Sequence, residues 1–420
     1  MTQDAEPAAE GRRLSTRETA ERLGVKPETV YAYVSRGLLT SRRTPGGRGS
    51  TFDPREVDAL ARHGRRDQPA AGGDGGEAAG APAIATGITL IGADRYYYRG
   101  VDAVALAERY GCEEVAEWLW TGTLTPGIRF SAPEETLAAA RRAAGALPGH
   151  SGPVDRLRVA AVAAGVADPL RFDLSGATVL ATARSLIPTL VDALPLAGRE
   201  PGPRATLARR LWPRLTATAP DEASLRTLEA ALVLLIDHDL AASTYAARVA
   251  ASVRAHPYAV VSAGLGALEG PLHGAASALA HRMLAEVLER GSAAAVVADL
   301  LRAGRRVPGL GHRLYPGEDP RAQALFARLA AVKRAAPALA AAREVEATAA
   351  RHTSLHANVD LALAVLSVSA GMEPEAGETV FAVARTAGWI AHALEEYGEP
   401  PLRMRPSGRY RGPRPPQPLP

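Results

Sequence analysis

The sequence contains few of the residues that mark secreted, disulfide-rich or membrane proteins. Its 420 residues include one cysteine, Cys112, which excludes an internal disulfide and a metal site built from several cysteines. No run of 18 uncharged apolar residues is present, so no membrane-spanning helix is expected. The first 13 residues are polar and acidic and lack the apolar core of a secretory signal. We therefore expect a cytoplasmic protein without a membrane partner.

Aromatic residues and lysine are also scarce. Aromatics make up 5% of a chain that is 47% hydrophobic, and its only lysines are Lys26 and Lys333. The abundant residues are alanine, leucine, valine and arginine, most of which lose little side-chain entropy in a helix. We therefore expect an all-α protein, and a chain of this length can bury a large core.

Positive charge is concentrated in the N-terminal segment. Residues 1–66 contain 13 Arg and Lys against 9 Asp and Glu, whereas the rest of the chain contains 36 of each. The whole net charge of +4 therefore belongs to this segment. Such an excess favours a polyanionic partner, of which duplex DNA is one.

Residues 14–62 carry the signals of a small domain of their own. Ser15 and Glu18 form a capping box that opens a helix ending at Leu23. After a short turn, Pro27 or Glu28 begins a second helix that runs through Val34, because proline is well suited to the first helical position. Two short helices joined in this way are typical of a helix-turn-helix.

A turn-rich stretch, residues 44–49, predicts a hairpin wing after the second helix. Asp53 then caps a further helix, in which Glu56 is expected to reach back to the cap. The pattern resembles the winged helix-turn-helix of the MerR and excisionase type, which places its second helix in the major groove and wing arginines at the backbone. The candidate DNA contacts are Lys26, Thr29, Tyr31, Arg36, Arg42, Arg43 and Arg48. A domain that only docks onto other proteins is the alternative.

Three short motifs in the last third of the chain carry the chemistry. They are His273 in Gly-Pro-Leu-His-Gly, His312 in Pro-Gly-Leu-Gly-His-Arg, and Asp360 in Asn-Val-Asp. A carboxylate can remove a proton from a weakly acidic carbon only if a donor stabilises the developing enolate oxygen. A second donor can protonate a carbonyl under attack. Two histidines and one aspartate therefore suit a condensation between carbon atoms.

The order of these motifs resembles the citrate synthase family. Further matching motifs lie at residues 98–100, 114–120, 237–244, 319–321, 384–389 and 405–406, so that the resemblance covers roughly residues 85–412. It implies an all-α fold with a large and a small helical domain. It also implies condensation of acetyl-CoA or propionyl-CoA with oxaloacetate, followed by thioester hydrolysis to citrate or 2-methylcitrate.

The resemblance also assigns roles to residues. His273 would hold the thioester carbonyl oxygen, His312 the acceptor carbonyl, and Asp360 would be the base. The substrate-binding positions are His238, Arg321, Arg385 and Arg405, with Arg405 contributed by the partner subunit of a homodimer. The predicted CoA-binding loop consists of Val307, Pro308, Gly309, Leu310 and Gly311. No metal and no cofactor is expected.

The surroundings of two of these residues predict shifted pKa values. Gly-Pro before His273 indicates a helix start, whose dipole would lower the pKa of the imidazole. Asp360 precedes a strongly apolar helix, and desolvation there would raise the pKa of its carboxyl. An ordinary helix N-cap is the alternative role for Asp360.

Several positions depart from the family pattern. Leu235 stands where the family has an additional histidine, Ala241 where it has asparagine, and Ser407 where it has arginine; residues 274–278 and 361–364 also differ. We therefore expect a changed acceptor or acyl preference, or weakened activity. The alternative to an enzyme is a transcriptional regulator that uses this fold to sense a ligand.

These patterns together predict five parts of the chain. They are a winged helix-turn-helix at 1–66, a Gly/Ala/Pro linker at 67–84, a large helical domain at 85–268 and 370–412, a small catalytic domain at 269–369, and a Pro-rich tail at 413–420.

Overall fold

The computed structural model describes residues 13–23, 27–35, 39–43, 50–58, 84–202, 204–270, 273–274, 276–407 and 411–414. The chain divides into two compact units, Met1–Asp74 and Gly75–Pro420. A boundary between a large and a small helical domain inside the second unit stays a prediction.

The described residues of the first unit form three helices and a three-stranded antiparallel sheet. Its elements are β1 (Leu14–Ser15), α1 (Thr16–Leu23), α2 (Pro27–Ser35), β2 (Ser41–Arg43), β3 (Ser50–Phe52) and α3 (residues 54–58), with the strand order β1-β3-β2. Strands β2 and β3 pair as the predicted wing requires, although the loop 44–49 lies outside the described residues. A core of Ala20, Val30, Leu39, Phe52 and Val57 joins these elements.

Two helix caps were predicted in this unit, at Ser15 and at Asp53. The first forms completely and the second only in part. Ser15 Oγ accepts from the backbone N–H of Glu18 at 3.3 Å, and the Glu18 carboxylate accepts from the Ser15 N–H at 2.8 Å. Asp53 likewise caps α3 by accepting from the N–H of Arg55 at 2.8 Å. Glu56 does not reach back, because its carboxylate accepts the Thr40 N–H at 2.9 Å and thereby ties α3 to the residue before β2.

The second unit opens with a small antiparallel sheet and continues as helices. The sheet consists of β4 (Thr89–Ile91), β5 (Tyr96–Tyr98) and β6 (Val101–Asp102). The helices are α4 (Ala103–Arg109), α5 (Cys112–Thr121), α6 (Glu134–Gly145), α7 (Pro153–Ala167), α8 (Gly176–Ala193), α9 (Leu207–Leu215), α10 (Glu222–Leu234), α11 (Ala242–Ser252), α12 (Pro257–Leu268), α13 (Ala276–Arg290), α14 (Ala293–Arg302), α15 (Pro320–Leu329), α16 (Ala336–Ala349), α17 (Val359–Ser369) and α18 (Ala376–Gly398). The expected all-α class is confirmed. Among the described residues, no helix has the length and apolar character needed to span a bilayer.

Apolar residues three or four positions apart predict helices over 224–237, 319–335 and 374–394, and all three have different boundaries in the structure. Helix α10 ends at Leu234. Helix α15 ends at Leu329 and is followed by a 3₁₀ turn, Lys333–Ala335, before Pro337 in the first turn of α16. Helix α18 continues to Gly398.

Helix α18 runs through the main core and brings the site segments together. Most of its residues are buried, and it packs against α8, α11, α12 and α13. A Cβ at Gly264 of α12 would come within 2.6 Å of the Trp389 ring of α18, so glycine is required for this approach. The functional segments lie at the ends of the surrounding helices, after α10, before α13, between α14 and α15, and at the start of α17.

Candidate active site

Side chains from these segments line one cleft of about 450 Å³. The lining residues are His238, Asp239, Leu240, Ala241, His273, Ala276, His312, Arg313, Leu314, Arg321, Val359, Asp360, Phe381 and Arg385. Six of the predicted site residues therefore meet in one place although they are distant in the sequence.

His273 lies in the turn before α13. Its Nε2 atom is hydrogen-bonded to Ser243 Oγ at 2.8 Å, and its ring lies edge-on to Phe381 with 6.0 Å between centroids. Burial, followed by the charge of Arg385, lowers the pKa of His273 to about 4. The imidazole is therefore neutral at pH 7. The direction of the pKa shift agrees with the sequence expectation, but burial rather than a helix dipole is its main cause.

His312 lies in the loop between α14 and α15. Its Nδ1 atom accepts the backbone N–H of Leu314 at 3.1 Å, so the ring proton of the neutral form is on Nε2. Burial and the charge of Arg321 lower its pKa to about 4, with Asp319 opposing them. His312 is therefore a neutral N–H donor that faces the cleft.

Asp360 lies in the first turn of α17, but it is not the cap of that helix. Asn358 is the N-cap, and its Oδ1 atom accepts the N–H of Asp360 at 3.0 Å. Burial raises the pKa of Asp360 to about 6, with Arg321 opposing and Asp319 adding to the shift. The carboxyl is thus a stronger base than an exposed aspartate and is still mostly ionised at pH 7.

The two cleft arginines differ in their partners. Arg321 is buried and forms a two-pronged ion pair with Asp319, at 3.0 and 2.8 Å. Arg385 is also buried, and its Nε atom donates to the Leu235 carbonyl at 3.0 Å. Both Nη atoms of Arg385 are buried and have no hydrogen-bond partner among the described residues. A buried guanidinium with two unused donors is a ready site for a carboxylate.

His238 completes the polar wall of the cleft. Its Nε2 atom is hydrogen-bonded to the Tyr315 hydroxyl at 2.8 Å, and its ring is nearly perpendicular to that of His312, with 5.1 Å between centroids. Burial and then the charge of Arg321 hold the pKa of His238 well below its usual value. Three neutral imidazoles therefore lie beside two guanidinium groups.

The predicted CoA loop adjoins the cleft but does not line it. Gly309 has φ +79°, and a Cβ there would lie 2.8 Å from Leu361 Cβ, so only glycine fits. The Gly309 carbonyl accepts the Asn358 N–H at 2.9 Å, and the Gly311 carbonyl accepts Asn358 Nδ2 at 2.8 Å. The loop is thereby fastened to the residue that caps the helix of Asp360. The described loop residues Val307, Pro308, Gly309, Leu310 and Gly311 are buried or half-buried.

The remaining predicted residues lie elsewhere. Arg405 is exposed and does not line the cleft of its own chain. In the first unit, Tyr31 and Arg42 are exposed and Thr29 is half-buried. Arg43 belongs to β2. Lys26, Arg36 and Arg48 lie outside the described residues.

Sequence reasoning missed several residues that shape the cleft. Ser243 holds His273, Tyr315 holds His238, Asp319 pairs with Arg321, and Phe381 packs against His273 with the Arg385 guanidinium 4.6 Å from its ring centre. Phe381 and Arg385 are four residues apart on one helix, a spacing that could have indicated a shared face. No comparable signal marks Tyr315.

Three of the departures from the family pattern show where such changes lie. Leu235 and Leu361 are fully buried in the core. Ala241, in contrast, lines the cleft. The small side chain at position 241 therefore changes the part of the cleft that a ligand would touch.

The all-α fold brings a carboxylate of raised pKa, neutral imidazoles and a buried arginine with unused donors into one cleft, an arrangement that suits acid–base chemistry. Residues 77–407 match the family model "Citrate synthase, C-terminal domain", and residues 14–63 match "MerR HTH family regulatory protein". The chain belongs to the citrate synthase family, and it carries a MerR-type segment in front of the enzyme.

Relatives and solved structures agree with this membership. A citrate synthase from Haloferax volcanii is 32% identical over 343 residues, which cover 76% of this chain and 90% of the relative. A 2-methylcitrate synthase from Corynebacterium glutamicum is 28% identical, over 75% of this chain and 88% of the relative. A citrate synthase from Thermoplasma acidophilum, solved as a ternary complex with carboxymethyl coenzyme A and oxaloacetate, shares the fold with a TM-score of 0.68 at 22% identity, over 81% of this chain and 96% of that chain.

Proposed function

We propose that the second unit condenses acetyl-CoA or propionyl-CoA with oxaloacetate and hydrolyses the resulting thioester to citrate or 2-methylcitrate and CoA. The observation that carries the proposal is the buried, partnerless Nη pair of Arg385, which shares a cleft with Asp360 and two neutral histidines. A dicarboxylate with a carbonyl group can accept hydrogen bonds from Arg385 and His312, which leaves His273 and Asp360 to act on the acyl-CoA.

Each of these residues has a separate role in the condensation step. Asp360 accepts a proton from the carbon beside the thioester carbonyl, and His273 donates a hydrogen bond to the enolate oxygen that forms. The enolate carbon then attacks the keto carbon of oxaloacetate, while His312 Nε2–H supplies a proton to its carbonyl oxygen. Arg385 and Arg321 hold the acceptor carboxylates. Water then cleaves the thioester, giving a carboxylate and the CoA thiol.

A CoA-release assay tests this function. We expect thiol release to require both an acyl-CoA and oxaloacetate. Acetyl-CoA and propionyl-CoA should be compared at equal concentration, because the cleft has alanine at position 241, where the family pattern has asparagine. The matched control is Asp360→Asn, which keeps the shape of the side chain but cannot accept the proton. Equal thiol release by the wild type and this variant, or release without oxaloacetate, would contradict the proposal.

We also propose a homodimer in which Arg405 enters the cleft of the partner subunit. Helix α11 and its C-cap residue expose an apolar stripe, which consists of Tyr245, Val249 and Val253 at a spacing of four residues. The segment that carries Arg405 is fastened to the end of this helix, because the Leu402 N–H donates to the Ser252 carbonyl at 2.8 Å. Sedimentation of wild type and Val249→Asp tests the proposal, since a buried charge should dissociate the dimer and lower activity, whereas an unchanged mass would refute it.

For the first unit we propose duplex DNA binding. The match of residues 14–63 to a regulatory helix-turn-helix, the exposed Tyr31 and Arg42, and the net charge of residues 1–66 support it. Full-length protein should bind duplex DNA in a titration at controlled salt, and a chain lacking residues 1–66 should lose this binding but keep its activity. Indistinguishable titrations would favour a protein-docking role. A regulator that senses ligand without turnover is the alternative, and absence of CoA release would favour it.

A further inference from the structure

A second charged cluster includes Asp237, the neighbour of the cleft residue His238, and all of its members except the half-buried Glu395 are fully buried. Asp237 Oδ1 is 3.2 Å from His392 Nε2, and His392 Nδ1 is 2.9 Å from Arg248 Nη1. Arg248 also forms ion pairs with Glu395 at 2.7 Å and Glu396 at 3.1 Å. Asp237, His392, Arg248 and Glu396 are each at most 1% exposed.

The hydrogen bonds of this cluster determine where the proton of His392 lies. An arginine can only donate, so His392 Nδ1 must accept from Arg248. The remaining ring proton is therefore on Nε2, which donates to Asp237 Oδ1. Asp237 Oδ2 in turn accepts from the Thr89 hydroxyl at 2.5 Å. Burial raises the pKa of Asp237, but its contacts with His392, Arg385 and Thr89 more than offset this and keep its pKa below the usual value.

Helix α18 contacts each of the residues 235–237, which directly precede His238. Arg385 Nε donates to the Leu235 carbonyl, and His392 donates to Asp237. Between them, a Cβ at Gly388 would lie 2.1 Å from the Ile236 carbonyl oxygen, so the segment lies directly on the helix backbone. Residues 385, 388 and 392 are three and four positions apart and therefore share one helix face.

The cluster is thus joined to two groups of the acceptor site. Asp237 immediately precedes His238, and its negative charge favours the charged form of Arg385. If Asp237 turned away, the backbone that presents His238 would lose an anchor, and Arg385 would lose the nearby charge that helps to hold it. Burying several charges together is costly unless their geometry is well defined, which argues against a role in packing alone.

We propose that His392 is a positioning residue for the oxaloacetate site: held by Arg248 in its Nε2–H form, it fixes Asp237 and thereby the placement of His238 and Arg385. The inference rests on the proposed function. The role is one of positioning and not of direct contact with the acceptor, since no member of the cluster is among the described residues that line the cleft.

The test compares variants of His392 in the full-length protein by steady-state kinetics. His392→Leu should raise the oxaloacetate KM about tenfold to a hundredfold, the effect of losing a hydrogen bond to a charged group, and leave the acyl-CoA KM within twofold or so. His392→Gln should recover most of the affinity, because one amide can accept from Arg248 and donate to Asp237. His281→Leu is the matched control, since His281 is a buried histidine bonded to Ser367 at 2.8 Å outside the cleft.

Each outcome bears on the inference. Equal rises in both KM values, or the same rise in the His281→Leu control, would overturn it, because both indicate a general loss of packing. If His392→Leu does not fold, His392→Asn replaces it; its shorter amide cannot span Arg248 and Asp237, and an oxaloacetate KM equal to that of His392→Gln would overturn the inference. A wild type that releases no CoA with oxaloacetate refutes the proposed function as well, whereas an active wild type with an unchanged His392→Leu refutes this inference alone.

Discussion

Lowering the pH from 7 to 5 should reduce kcat/KM about tenfold, because Asp360 must be ionised to accept the substrate proton. Burial raises the pKa of this carboxyl to about 6. The ionised fraction of such a group is about nine-tenths at pH 7 and about one-tenth at pH 5. The histidines should not contribute to this loss, since the pKa values of His273 and His312 are about 4 and both rings stay neutral at pH 5.

The assay is CoA release at subsaturating substrates from pH 4.5 to 8, at constant ionic strength, with a check that the protein stays folded. A midpoint near pH 6 is expected in the wild type. The residual activity of Asp360→Asn should lack this midpoint, because the amide does not titrate in this range. A wild-type profile that is flat from pH 5 to 7, or that falls only near pH 4, would refute the assignment of Asp360 as the base and point to the histidines.

Three further predictions concern single side chains. Asp360→Asn should lower turnover by about two to four powers of ten at pH 8 while oxaloacetate still binds; turnover within a few fold of wild type would contradict this. Arg385→Lys should raise the oxaloacetate KM more than it lowers kcat, because lysine keeps the charge but loses the planar fork, and an equal loss of acyl-CoA affinity would remove Arg385 from the acceptor site. Burial, together with Glu269 and Glu375, raises the pKa of Glu378 from 4.5 to about 7. The native state therefore holds this proton more tightly than the unfolded chain. The resulting stabilisation of the native state is present below about pH 4.5 and is lost as the pH rises to 7. Glu378→Gln should therefore be more stable than wild type at pH 8, by roughly 2 kcal/mol in denaturant unfolding once solvent screening reduces the full value of about 3 kcal/mol. An equal or lower stability would show that the carboxylate has a stabilising partner.

Local signals predicted much of the framework. The Ser15 and Glu18 capping box forms as expected, because a cap depends on residues only three positions apart. The motif order predicted that His273, His312 and Asp360 would meet, and they line one cleft. The expected reach of Glu56 to its own helix cap was wrong, since a competing tertiary bond to Thr40 was available. The spacing of Asp53 and Glu56 in the sequence could not show which of the two partners the Glu56 carboxylate would bind.

The sequence by itself determined the all-α class, the presence of a helix-turn-helix segment before an enzyme, and which residue types could perform the chemistry, because these depend on composition, short-range spacing and motif order. Only the tertiary structure decided the electrostatics of the site. The pKa shifts of His273 and Asp360 arise mainly from burial. The Nη atoms of Arg385 have no hydrogen-bond partner in the described part of the chain, whereas its Nε atom is held by the segment after α10. Burial and partner geometry depend on residues far apart in the chain, so no local pattern contains them.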